Sequence, residues 1–432
     1  MNRAICFLST SAFFAASTSA LLAWGEPHHA ITRAAVNVLV DWEKNMLGAE
    51  RQALSDSYCM IPDNVYSDKE NAPFAAMESS PGTAYLQKLH LPQPEQATNL
   101  ETVSYFMGKA VAAFRSGKVK DGARYMGTIC HVIEDFGSPS HTLPGDNQFT
   151  LLQQFLPPTD VMRDTLLHGP IENGDFSVDL GSYRPRFLGV TVEEASWRLL
   201  HRIHEAIINA RATTVPILMA LYAGDEAERV RQQMRAAVKD AEVLADALHT
   251  ILCLGAEWFD ESEQTNCKEV GLASFWPLEA VHLYYPQSHF FIAPYWGHAH
   301  HGVTLDGGKK AIPLQLKIMK GDDLAVKTFA EGISTGMGKG LSFHLPKGVF
   351  DKFKVVAGLQ VGIGEKGRVE FSVLGDGKLL VSKVVSGKDP AVDLECNVSG
   401  TAILQLKAES RGLDAKSNYA VWAEPTLVKV SQ

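Results

Sequence analysis

Cysteine is scarce in this sequence. Of six, Cys6 lies in an apolar N-terminal run, and the other five, Cys59, Cys130, Cys253, Cys267 and Cys396, are odd in number and nowhere spaced as CxxC. Disulfides therefore do not organise the fold, and no CxxC metal motif is present. An exported chain would permit one bridge, Cys253 to Cys267, closing a short loop after a helix. Positive charge is in deficit as well, with 40 Lys and Arg against 49 Asp and Glu. A surface-wide field that gathers phosphate polymers is thereby excluded, and any affinity for phosphate has to be local. Past the first 23 residues no run reads as membrane-spanning. Internal repeats and low-complexity tracts are missing too, which excludes a repeat array.

What is there divides in two. A chain of 432 residues is long enough for two domains, each with its own core. Residues Met1 to Ala23 have Arg3 in a short basic start, an apolar stretch from Ile5 through Phe13, Phe14 and Leu22, and small residues before a cleavage point. That is the pattern of an export signal, and it implies a secreted or periplasmic protein. A retained anchor is the alternative, because the run is about long enough to span a bilayer. From Pro27 to about Gly255 the texture is helical: Ile31, Ala35, Val38, Leu39 and Trp42 recur at helix spacing up to Gly48. Thr98 with Glu101, and Thr191 with Glu194, have capping-box spacing ahead of helices reaching Ser116 and Ala210. A helix from Lys118 to Phe136 and a charged one from Asp225 to Leu254 complete the set. From about Gly271 short alternating segments take over, such as Phe353 to Val361, Val369 to Leu374 and Ala402 to Leu406, with Gly375-Asp376-Gly377 as a turn. The predicted organisation is multidomain α + β: a signal at 1–23, an all-helical domain at 24–258, a linker at 259–289 and an antiparallel β-sandwich at 290–432.

Three segments carry chemistry. In His131-Val-Ile-Glu-Asp135-Phe-Gly-Ser-Pro-Ser-His141, His131 and Asp135 lie four apart, so on a helix they leave one face and can grip one metal ion. Gly137 and Pro139 end that helix, and the turn can bring His141 back beside the pair. A half-buried His beside an exposed Asp is the plainer alternative. His168 and Glu172 repeat the offset, and with His141 they make a two-His, one-carboxylate set that suits zinc. Gly169 and Pro170 fit a helix only if it begins there. The third segment is Trp24-Gly-Glu-Pro-His-His29. If cleavage falls after Ala23, the free amine and carbonyl of Trp24 could chelate zinc beside the His29 imidazole, whereas cleavage after Ala20 would block the chelate.

Those segments, in that order in a helical exported domain, resemble zinc-dependent bacterial phospholipases C and their relatives, the single-strand-specific zinc nucleases, over about residues 24–255. The resemblance implies three Zn2+ ions on nine protein-derived ligands. Trp24 and His29 would form the terminal site, and Asp135 would bridge it to the site of His131. Asp63, in Ile61-Pro62-Asp63, matches the family's ligand from a Pro-Asp turn and would also serve as base. The family places a further histidine between that Asp and the His/Asp/His helix, the position of His90 here. His141, His168 and Glu172 match the remaining site. Zinc so held activates water and stabilises a leaving alkoxide, which implies phosphoester hydrolysis. Glu172, where the nucleases carry Asp, leans toward a phospholipase. Asn64 stands where choline-reading members can place an aromatic, which leaves the head group open.

Residues 338–346, 369–378 and 419–425 resemble the carbohydrate-binding module known as NPCBM, which accompanies bacterial glycosidases, over about 290–430. This implies a sandwich fold and a glycan as partner, while the Gly375–Gly377 turn and Trp422 follow from folding alone. The toxin-like phospholipases carry a calcium-dependent lipid-binding sandwich instead, and here the tail departs from them. His201 and His204, on a helix with Trp197 and Leu200, read as packing or surface residues. His298, His300 and His301, near Trp296, could bind metal, but their place at the domain junction favours a structural or incidental role. The leading expectation is a phospholipase C-like phosphodiesterase acting on a phospholipid or other phosphodiester. A zinc nuclease or 3′-nucleotidase acting on nucleic acid, and a non-enzymatic glycan-binding surface protein, are the alternatives.

Overall fold

The computed structural model describes residues 25–77, 97–141, 174, 176–275, 279–280, 299–306, 310–335 and 340–429. Among the described residues there are eight α-helices, all before the sheets. Helices α1 (Gly25–Asn37) and α2 (Asp41–Leu47) occupy the stretch up to Gly48 whose periodicity predicts a single helix, and α3 (Glu50–Asp56) follows it. The run breaks because the Glu43 carboxylate accepts the Val40 N–H at 2.9 Å and starts a new helix there. Gly48, at φ +55°, ends it where the sequence predicts. Helices α4 (Ala97–Arg115) and α5 (Val119–Gly137) form an antiparallel hairpin turned by Gly117. Helix α6 (Val192–Ala223) starts where the Thr191 hydroxyl accepts the Glu194 N–H at 3.2 Å. It runs past the predicted end at Ala210 and through Pro216, because Ile217, Leu218 and Leu221 are buried on its far half. That burial outweighs the hydrogen bond proline removes. Helix α7 (Glu226–Ala256) packs along α6 through a face of buried alanines, and α8 (Glu261–Asn266) is short.

By length and composition α6 meets the requirement for crossing a membrane, which the sequence reading did not assign to any later segment. In the fold its Leu199, Ile203, Ile207 and Ala210 belong to the buried helical core, and core helices share this composition.

Among the described residues fourteen strands follow: β1 (Glu269–Gly271), β2 (Glu279–Ala280), β3 (Ala299–His301), β4 (Val303–Asp306), β5 (Lys310–Lys320), β6 (Asp323–Phe329), β7 (Gly332–Thr335), β8 (Gly340–His344), β9 (Lys352–Leu359), β10 (Arg368–Gly375), β11 (Lys378–Ser386), β12 (Val392–Asn397), β13 (Ile403–Ser410) and β14 (Ala420–Val428). One sheet runs β12-β9-β14-β7-β3 with β1 also on β14, a second runs β11-β10-β13-β8-β2, and β4-β5-β6 form a third. All pairs are antiparallel. Period-two alternation turns Phe353, Val355 and Ala357 of β9 and Val369, Phe371 and Val373 of β10 inward. Between the two large sheets Trp422 meets Phe371 edge-on at 5.0 Å. Asp376 and Gly377 both have positive φ, as a two-residue hairpin between β10 and β11 requires.

The segment 259–289, predicted as a linker, contributes α8, β1 and β2, and the two strands join different sheets. Trp197 and Leu200 of α6 belong to the sandwich core rather than the helical one. The Trp197 indole N–H donates to the His344 carbonyl at 2.6 Å, and Lys429 meets the buried Glu194 at 2.6 Å. The permitted Cys253 to Cys267 bridge is not formed. Both thiols are free, with Cys253 Sγ beside the His249 ring and Cys267 Sγ toward the Phe187 carbonyl.

Candidate metal centre

Helix α5 presents His131 and Asp135 on one face, as their spacing requires, and both are buried. His131 Nε2 lies 3.3 Å from Asp135 Oδ2 and 3.4 Å from Asp63 Oδ1. Two donors on one zinc at about 2.0–2.1 Å stand about 3.3 Å apart at the tetrahedral angle. A direct charge-assisted hydrogen bond would instead close to about 2.7–2.9 Å. On the other side of Asp135, Oδ1 lies 3.8 Å from His28 Nε2, and the His28 and His131 rings stack at 4.5 Å. Asp135 thus stands between two imidazoles, one on each carboxylate oxygen, and could bridge two ions.

The far nitrogen of each ring is fixed. His28 Nδ1 meets Glu134 Oε2 at 2.7 Å, and the other Glu134 oxygen accepts the Thr32 hydroxyl at 2.6 Å. His131 Nδ1 donates to the Cys59 carbonyl at 2.9 Å. Glu134 lies close enough to both rings to be counted with them, yet both its oxygens are already engaged. It belongs behind His28, where a carboxylate fixes the tautomer that leaves Nε2 free to ligate. Among the described residues His28 Nε2 and Asp63 Oδ2 have no hydrogen-bond partner although both are buried, a costly arrangement unless a cation satisfies them. Burial opposes charge at His131, but Asp135 and Asp63 outweigh it and hold its pKa well above the ordinary imidazole range. Burial likewise opposes charge at Asp63, and His131 beside it holds the carboxyl below the usual value. The two shifts are reciprocal: each group favours the charged form of the other.

Close backbone approach makes this geometry possible. At Gly127, one turn before His131 on α5, an added Cβ would lie 2.4 Å from the Tyr58 carbonyl oxygen. Only glycine lets the turn that carries Cys59 and Asp63 come so near. At Gly137 the buried Asp240 of α7 occupies the space of a Cβ, which packs α7 against the turn that carries the buried His141.

Of the residues the sequence singled out, Asp63, His131 and Asp135 come together, and His141 is buried in the turn directly after α5. His29 turns its Nδ1 to the Ser55 carbonyl at 2.7 Å, and its neighbour His28 takes the place beside Asp135. Trp24, His90, His168, Glu172 and His298 lie outside the described residues. His201 packs against Trp197 at 4.7 Å and Phe275 at 4.0 Å, and His204 is buried. His300 sits in β3, and His301 Nδ1 bonds the Ala273 carbonyl at 2.5 Å. His28, Thr32 and Glu134, which the sequence did not single out, lie beside these groups. Their signal was present: His28, Ile31 and Ala35 share the inward helical stripe of α1, whereas His29 and the exposed Arg33 share the outward one.

These features define a two-part α + β protein, helical first and then an antiparallel sandwich. Residues 296–428 match the family model of the NPCBM/NEW2 domain. A sequence comparison with curated proteins gives no match. Among solved structures the chain is similar to CBM51-2 with INT domains of Clostridium perfringens ZmpB, in complex with GlcNAc, at 22% identity and a TM-score of 0.28. That likeness covers 31% of this chain and only 28% of that one. The CBM51 of C. perfringens GH95, in complex with methyl-galactose, is similar at 16% identity and a TM-score of 0.30, over 37% of this chain and 99% of that one. The alpha-toxin of an avian strain of C. perfringens is similar at 9% identity and a TM-score of 0.31, over 96% of this chain and 89% of that one.

Proposed function

We propose that this chain is an exported zinc-dependent phosphoester hydrolase of the phospholipase C type, with a glycan-binding sandwich behind its catalytic part. One observation carries the reading. Two buried imidazoles and two buried carboxylates converge, with His131 Nε2 at 3.3 and 3.4 Å from the carboxylate oxygens, the separation expected of donors sharing a tetrahedral ion. In this reading His131, Asp63 and Asp135 would hold one ion, and His28 and Asp135 would hold the next with Trp24 at a cleaved amino terminus. His141, His168 and Glu172 hold a third, with His90 completing the set that the sequence resemblance implies. When bound, zinc polarises phosphoryl oxygens, lowers the pKa of water and stabilises the leaving alkoxide.

The chain's own residues do the rest. Asp135 joins neighbouring sites, and Glu134 and the Cys59 carbonyl lock the imidazole tautomers. Asp63 turns Oδ1 toward His131 and leaves Oδ2 to accept a proton from the attacking water. The negative net charge of the chain favours a small phosphodiester or a lipid head group over a nucleic-acid polymer. Support for a glycan partner is the NPCBM/NEW2 match, and support for export is the N-terminal pattern.

The test is a substrate panel on the zinc-loaded mature chain: a chromogenic phosphocholine diester, single-stranded DNA, a nucleoside 3′-phosphate and immobilised glycans. Turnover of the diester that disappears on chelation is expected. Turnover of DNA without the diester would assign the chain to the nuclease alternative, and glycan binding without any hydrolysis would remove the catalytic reading.

A further inference from the structure

The helical part holds another group of ligand-type side chains that phosphoester hydrolysis does not use. His249 and Cys253 lie four apart on α7 and face Glu43 of α2, all three buried. One ligand atom from each lies within 4.8 Å of the others. Glu43 is held from behind by the Val40 N–H on Oε2, which aims Oε1 at His249 Nδ1, 2.5 Å away. Cys253 Sγ stands 3.7 Å from that nitrogen and 3.8 Å from Nε2, over the ring. His249 Nε2 meets Glu263 of α8 at 3.0 Å, the carboxylate-behind-imidazole arrangement that orients metal-binding histidines.

We infer that the chain carries a second, structural site for one zinc-class divalent cation, formed by Cys253 and His249 of α7 and Glu43 of α2, with Glu263 orienting the imidazole. On a tetrahedral zinc, sulfur and nitrogen donors stand about 3.5 Å apart and nitrogen and oxygen donors about 3.3 Å. The Cys253 side chain has to swing from over the ring to the outer side of Nδ1, a change of its rotamer. The Nδ1–Oε1 pair has to open by less than about 1 Å, a motion within reach of the Glu43 side-chain torsions. Binding displaces the Cys253 thiol proton and the His249 Nδ1 proton to water, while Nε2–H stays on Glu263. A thiolate, an imidazole and one carboxylate form a borderline-soft set that selects zinc over magnesium or calcium. The ion would clip α2 and α7 to α8, the helix that leads into β1.

Cobalt distinguishes this site from the hydrolytic centre, whose proposed ligands include no thiolate. The metal-free full chain is loaded with Co2+ and scanned for a thiolate-to-cobalt charge-transfer band in the near ultraviolet. The expected result is a band in the wild type that is lost in Cys253→Ser and weakened in Glu43→Gln, with visible absorption from nitrogen- and oxygen-bound cobalt retained. Cys253→Ser should also hold one cation fewer per chain by elemental analysis, its far-ultraviolet dichroism matching wild type. Absence of the band in the wild type overturns the assignment whether or not the variants fold, and so does a band that survives Cys253→Ser.

Discussion

Two adjacent histidines on one helix face different surroundings, because neighbouring positions are about 100° apart around the axis. His28 points inward to Asp135 and Glu134, while His29 turns to the Ser55 carbonyl. His28→Ala is therefore expected to lower both zinc content and turnover sharply, and His29→Ala to leave most of both, as elemental analysis and diester hydrolysis would show. Equal losses in the two variants would contradict the assignment. Asp63→Asn keeps an oxygen toward His131 but removes the proton acceptor, so turnover should fall about 10²–10⁴-fold while much of the metal remains. His131, Asp135 and Asp63 were legible from the sequence because helix spacing and the family resemblance name them. That His28 rather than His29 faces Asp135 was not, because a dipeptide of identical residues shows its facing only when the stripe of Ile31 and Ala35 is followed inward. Glu134 was hidden for a related reason: it is adjacent in sequence to Asp135 and meets His28 of α1, more than a hundred positions away.

The hairpin of α4 and α5 and the turn before Asp63 fit together through a missing side chain. Gly127→Ala would drive a methyl to within 2.4 Å of the Tyr58 carbonyl, and overpacking of this kind costs about 1–3 kcal/mol. A lower melting temperature and a parallel loss of zinc are expected, since the turn that is pushed away also carries Asp63. Unchanged zinc would show that the turn and the site are independent. Element ends were readable where side chains cap them, as at Thr191 and Asp225. They were not where tertiary burial decides: α6 passes Pro216 because its far half is covered, and the stretch from Ile31 to Gly48 breaks where Glu43 finds a backbone partner.

Over the whole molecule the helical part and the sandwich share a seam. Trp197, Leu200 and His201 of α6 sit among Phe275, Phe343 and Phe350, so one helix is built into both cores. Alternation in the sequence made the sandwich legible, but periodicity cannot show which side chains of α6 cross to it, and the intervening stretch read as linker because β1 and β2 are too short to carry a pattern. Burial among these rings, aided by Arg198, lowers the His201 pKa to about 3, against about 6.5 in an unfolded chain. The unfolded state therefore binds more protons between these values. Stability from a neutral His201 is fully present above about 6.5 and is lost as pH falls toward 3. His201→Phe, which keeps the ring packing, should lose less melting temperature than wild type between pH 7 and pH 4. An identical loss would remove His201 from the acid response.

The proposed hydrolysis needs cations lying between His28, His131, Asp63 and Asp135. Anomalous X-ray scattering at the zinc edge, from crystals of the zinc-loaded mature chain, locates them directly. The expected result is an anomalous peak about 2.0–2.2 Å from His131 Nε2 and from oxygens of Asp63 and Asp135, with a second beside His28 Nε2. Zinc found only elsewhere, with these two imidazoles bare, would contradict it.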